Sequence, residues 1–247
     1  MHDVLANAYG PQHWWPAETP FEVILGAYLT QNTAWKSVER SLANLRSAGA
    51  LTPAGLRSLS LEDLQTLIRP SGFHTRKALA LKAFLKMLDT EFAGSLDRLA
   101  AVLTDDLRIR LLALPGVGPE TADAILLYAL GHPIPVADEY LRRIAQRHGL
   151  HAVEPGRKGY ESLTQLTREA FATDPPTRLA HLFNEFHALA VAVGKAHCSR
   201  AQHCSGCPLV TDLEHLDFVP AQDTLRDESH RLSATTRTIR RNSMTKI

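Results

Sequence analysis

The segment Leu114-Pro115-Gly116-Val117-Gly118-Pro119-Glu120-Thr121-Ala122-Asp123 constrains this chain more than any other. Before it, Leu107, Leu111, Leu112 and Leu114 recur at helical spacing. Pro115 and Gly116 stop that helix, and Pro119 suits the first position of the next, where a missing N–H costs nothing. The pattern predicts two helices joined by a tight turn. Gly116 and Gly118 lack a Cβ, so the turn can adopt conformations closed to other residues and press its amides, Val117 between them, against an anion. The start of the second helix adds unpaired N–H groups and a partial positive charge. Such a device grips a phosphate and reads no base sequence; on Gly-x-Gly alone, a hairpin that merely packs is the alternative. Asp138, in Val136-Ala137-Asp138-Glu139-Tyr140, follows downstream.

The rest of the chain is also patterned for helix. Phe21 to Leu29, Leu56 to Ile68, Ala78 to Leu88 and Leu182 to Val193 are apolar stripes between breaks such as Pro70-Ser71-Gly72 and Pro175-Pro176, and no alternating strand stands out. An all-α fold is expected. In Gly131-His132-Pro133-Ile134-Pro135 two prolines forbid helix, which places a boundary between lobes there. With 247 residues, 45% of them hydrophobic and 21% charged, the chain can bury a large core and reads as soluble and globular. A net charge of +1 requires any nucleic-acid affinity to come from local patches. The opening Met1-His2-Asp3-Val4 is no secretion signal and no run of eighteen apolar residues occurs, so a cytoplasmic monomer with no membrane partner is expected. Residues 229–247 carry Arg231, Arg237, Arg240, Arg241 and Lys246 without an acid and read as a disordered basic tail.

Asp138 has two readings. It can N-cap a helix from Glu139 to Gln146. It can also stabilise the positive charge that grows on a sugar when an N-glycosidic bond breaks: a carboxylate about 4 Å from a unit charge is worth about 4 kcal/mol at an effective dielectric of about 20. Three cysteines, Cys198, Cys204 and Cys207, fall within ten residues, a concentration that favours a metal site over scattered core thiols.

The hairpin, the aspartate and the cysteine cluster together resemble the endonuclease III superfamily of helix-hairpin-helix DNA glycosylases, over about Pro20 to Pro208. Within it, Trp14-Trp15-Pro16, the run Phe21 to Thr33 and Pro70-Ser71-Gly72-Phe73 are similar to the 3-methyladenine DNA glycosylase branch. The resemblance implies two helical lobes around a DNA cleft: a barrel lobe over 19–132 with the hairpin, and a second lobe from 1–18 plus 133–228 with the cysteines. It implies double-stranded DNA containing damaged bases as partner, and Asp138 as the catalytic carboxylate.

Bifunctional members carry a lysine nucleophile in the helix after the hairpin; Glu120 stands there and cannot form a Schiff base, which implies base removal without strand cleavage. Adenine-removing relatives use a glutamate where this chain has Ala27. An alkylated purine is already cationic and leaves without that acid, chosen by stacking on electron-rich rings. The resemblance places Trp14, Trp15 and Trp35 beside a flipped base, Lys195 in the same pocket, and Gln31 in the gap the base leaves; core packing for the tryptophans and a helix cap for Gln31 are the alternatives. The cysteine spacing is close to the superfamily's [4Fe–4S] pattern, but Leu213 occupies the fourth position. The expectation is a cluster with a non-cysteine fourth ligand, with Asp212, His215, His197 or His203 nearby; zinc, or no metal, stands beside it. Two other functions stay open: a glycosylase for oxidised pyrimidines, and a helix-hairpin-helix protein that binds DNA without chemistry.

Overall fold

The computed structural model describes residues 1–12, 14, 17–149 and 156–213; Trp15, His215 and the basic tail lie outside the described residues. Helices follow one another almost without pause: α1 (His2–Tyr9), α2 (Pro20–Thr30), α3 (Trp35–Ser47), α4 (Pro53–Ser58), α5 (Leu61–Leu67), α6 (His74–Phe92), α7 (Leu96–Ala100), α8 (Thr104–Leu112), α9 (Pro119–Ala124), α10 (Glu139–Arg147), α11 (Arg157–Ala170), α12 (Pro176–Ala196) and α13 (Val210–Leu213). A 3-10 turn covers Arg69–Ser71 and a π-helical turn, Ile125–Ala129, prolongs α9. The fold is all-α, with only an isolated bridge between Cys198 and Gln202 among the described residues. Met1–Val210 form one compact unit; a second begins at Thr211, of which only 211–213 are described.

Local chemistry sets the helix starts. Thr19 accepts the Glu22 N–H at 3.2 Å with Pro20 in the first turn of α2, and Ser60 and Ser95 cap α5 and α7 in the same way. Helix α2 is buried from Phe21 to Leu29, so it is apolar all round and serves as the central strut, packed on α3, α6 and the π turn. Its one buried charge, Glu22, is paired with Arg46 at 2.5 Å. Helix α12 packs against α1 and α10. Gly194 makes the latter approach possible: a Cβ there would lie 2.4 Å from the Tyr140 ring. Residues 131–138 hold no regular structure, as the prolines require.

Candidate active site

The hairpin joins α8 to α9. Gly116 has φ +76°, a left-handed turn conformation that glycine adopts without penalty, whereas Gly118 has φ −95° and open space where a Cβ would go. The turn thus needs a glycine only at 116, which narrows the sequence argument. The N–H of buried Val117 is engaged by the Leu114 carbonyl at 3.3 Å, while Gly116 and Gly118 are exposed and their N–H groups meet no acceptor among the described residues. Beneath the turn, fully buried Asp123 takes two bonds from Arg108, at 2.6 and 3.0 Å, and one from the Tyr160 hydroxyl at 2.9 Å, locking α8, α9 and α11 together.

Asp138 is the N-cap of α10, its Oδ1 accepting the Leu141 N–H at 2.9 Å. It also lines a cavity of about 270 Å³ with Gly118, Pro119 and Glu120 of the hairpin and Tyr160 of α11. Capping α10 thus leaves the same side chain facing the cavity. Surrounding protein, and then the Asp138 charge, push the Glu120 carboxyl up to about 7; water still reaches Glu120, which limits that rise. The other oxygen of Asp138, Oδ2, lies 3.6 Å from Nε2 of His187, a buried residue of α12 whose Nδ1 is hydrogen-bonded to the Tyr128 hydroxyl. Sequence reasoning passed over His187. The signal was an ionisable residue inside the apolar run Phe186-His187-Ala188-Leu189-Ala190.

The residues expected to receive a base fall in two places. Lys195, at the end of α12, holds its Nζ 5.3 Å from the centre of the Trp14 ring, a cation–π contact that unites two of them. Trp35 opens α3 and donates its Nε1–H to Glu39 at 2.9 Å. Gln31, at the end of α2, donates its amide to the Gly116 carbonyl and to Thr121 Oγ1, both at 2.9 Å, so the Gln31 turn is tied to the hairpin. Buried Lys77 supports that turn from behind. Its Nζ bonds Leu29 O, Thr33 Oγ1 and Ser71 O at 2.7 to 2.8 Å; burial lowers its pKa to about 8, and the three oxygens hold the ammonium form at neutral pH.

The cysteines lie in the loop after α12. Cys198 and Cys207 are buried and Cys204 half-buried, its Sγ accepting from Gln202 Nε2 at 3.0 Å. Protein hydrogen bonds shape this loop: Arg143 to the Cys198 carbonyl, Arg147 to the Ser199 and Arg200 carbonyls, and His197 Nδ1 to the His203 carbonyl. Among the described residues no three His, Cys, Asp or Glu side chains gather around a point that could hold a metal. Leu213 has no donor atom. The described residues alone therefore do not fit a four-donor cluster or a Cys3His zinc site.

Three comparisons place this geometry. A model of HhH-GPD superfamily base excision DNA repair proteins matches residues 25–172. A Methanocaldococcus jannaschii protein provisionally named a DNA repair glycosylase is 39% identical over 85% of this chain and 92% of its own length. The crystal structure of H. pylori 3-methyladenine DNA glycosylase bound to 1,N6-ethenoadenine superposes with a TM-score of 0.64 at 30% identity, over 78% of this chain and 92% of that one. A non-covalent endonuclease III–DNA complex gives a TM-score of 0.68 at 23% identity, over 85% and 90%, and shows the shared endonuclease III-like fold. With a family model spanning more than half its length and a relative covered almost end to end, the chain belongs to the base excision repair DNA glycosylases of the HhH-GPD superfamily.

Proposed function

We propose that this chain is a monofunctional DNA glycosylase that hydrolyses the N-glycosidic bond of alkylated, 3-methyladenine-like purines in double-stranded DNA. The observation that carries the reading is the cavity in which Asp138 faces the head of the hairpin's second helix, where a carboxylate, Glu120, stands instead of an amine. DNA lies between the lobe of 19–132 and the lobe of 1–18 with 133–228. The amides of Gly116 and Gly118 take a backbone phosphate, Gln31 enters the stack beside them, and the damaged nucleotide turns out of the duplex. Trp14 receives the base. Its electron-rich ring, which attracts the Lys195 ammonium, suits a cationic purine by the same cation–π chemistry. As the glycosidic bond breaks, the base leaves with its positive charge quenched by the bonding electrons, and Asp138 stabilises the cation growing on the sugar and orients the attacking water. Among the described residues that line the Asp138 cavity there is no lysine to attack C1′, so the strand stays whole.

The test is release of free base from a methylated duplex and from a thymine-glycol duplex. Wild type should release methylated purine without nicking in the absence of alkali, and Asp138→Asn should lower the single-turnover rate by about 100-fold or more while still binding the duplex. Thymine glycol released in preference would favour the oxidised-pyrimidine reading; binding without release from either duplex would leave a non-catalytic DNA-binding protein. No step here passes through a metal. Elemental analysis of the purified protein distinguishes [4Fe–4S], zinc and neither at Cys198, Cys204 and Cys207; iron with equimolar sulfide would turn the question to the fourth donor, sought by substituting His197, His203, Asp212 and His215 in turn.

A further inference from the structure

Resting on that reading of Asp138, we propose that His187 is a positioning residue that sets the plane of the Asp138 carboxylate. His187 sits mid-way along α12, buried, between Tyr128 of the π turn and Asp138 at the head of α10. Its two ring nitrogens face different groups. Nδ1 bonds the Tyr128 hydroxyl, and Nε2, buried and without a hydrogen-bond partner among the described residues, lies 3.6 Å from Asp138 Oδ2. A buried ring N–H without an acceptor is costly, so the proton state that satisfies the site puts hydrogen on Nε2, aimed at Oδ2, with the Tyr128 O–H donating to Nδ1. A distance of 3.6 Å is long for a hydrogen bond, and such contacts tighten when substrate closes the site.

The consequence is geometric. Asp138 Oδ1 is fixed by the Leu141 N–H, which leaves the carboxylate free to rotate about Cβ–Cγ; a second donor at Oδ2 removes that freedom. The groups facing this imidazole are Asp138 at the head of α10, Glu120 of α9 and Tyr128, and an N–H on Nε2 orients the Asp138 carboxylate among them. The π turn gains a purpose from this: it is the element that carries Tyr128 to His187.

The two amide replacements of histidine separate this role from packing. In His187→Gln the side-chain nitrogen reaches the place of Nε2; in His187→Asn it reaches only the place of Nδ1. Single-turnover base release from the methylated duplex by the full chain should stay within about threefold of wild type for His187→Gln. For His187→Asn it should fall by about tenfold or more, with unchanged affinity for a duplex carrying an uncleavable abasic analogue. Tyr128→Phe, which leaves the packing in place, should lower the rate severalfold without changing KM. A His187→Asn enzyme as fast as wild type, equal losses for Gln and Asn, or a Tyr128→Phe enzyme with an unaltered rate would overturn the positioning role. Asp138→Asn run alongside separates the two claims: if it stays fully active, the catalytic assignment of Asp138 fails and the role of His187 with it, whereas an inactive Asp138→Asn beside a fully active His187→Asn removes the positioning role alone.

Discussion

Glu120 shows how one side chain changes meaning between sequence and structure. In the sequence it marks a missing lysine; in the fold it shares a cavity with Asp138, and protein atoms and that charge together raise its carboxyl to about 7. In the unfolded chain it titrates near the usual glutamate value, so between about pH 4.3 and 7 the folded state binds more protons, and ionising Glu120 removes stability as pH rises through that window. Glu120→Gln should therefore raise the melting temperature at pH 8 and leave it unchanged at pH 4, by only a fraction of what full burial would give, since water screens the group. An equal shift at both pH values would show that Glu120 acts through packing. Asp138 was legible as a cap and as a catalytic candidate because both roles need the same residue before the same helix. His187 was not, since a histidine in an apolar helix looks the same whether it fills space or faces a carboxylate 49 positions earlier in the chain.

Among the elements, helix starts and stops were the most readable features. Pro119, Pro176 and the Thr19-Pro20 pair stand where α9, α12 and α2 begin, because an N-terminal turn tolerates a missing N–H and a threonine oxygen satisfies a free one. The hairpin was legible as a turn, but the work of its two glycines was not. Gly116→Ala should cost about 1 kcal/mol or more, because its φ is +76°, a conformation an alanine adopts only under strain, whereas Gly118→Ala should stay within about 0.5 kcal/mol. Denaturant melts of the two variants check this, and equal costs would argue against the turn geometry. Gly194→Ala should be worse than either, by about 1 to 3 kcal/mol, because the added methyl meets the Tyr140 ring and forces α10 and α12 apart. Nothing around Gly194 in the sequence signals that contact, since Tyr140 is more than fifty positions away.

For the molecule as a whole, a net charge of +1 across 247 residues leaves no long-range field to draw DNA in. Affinity for undamaged duplex should fall linearly in log–log form with salt, by about 0.9 per phosphate contact, while the single-turnover rate at saturating protein stays constant. A rate that fell with salt at saturation would place some of those charges in the chemistry. Among the described residues no helix is long and apolar enough to cross a membrane. By itself the sequence determined what short-range rules decide: the helices, their caps, the hairpin, Asp138 at a helix head and the absence of an amine at position 120. Only the tertiary structure decided what must be brought from afar: Asp138 and Glu120 into one cavity, Lys195 onto Trp14, Gln31 onto the hairpin and His187 behind Asp138. Periodicity and capping act within a turn or two of helix, while a site is made by side chains whose separation along the chain carries no record of their distance in space.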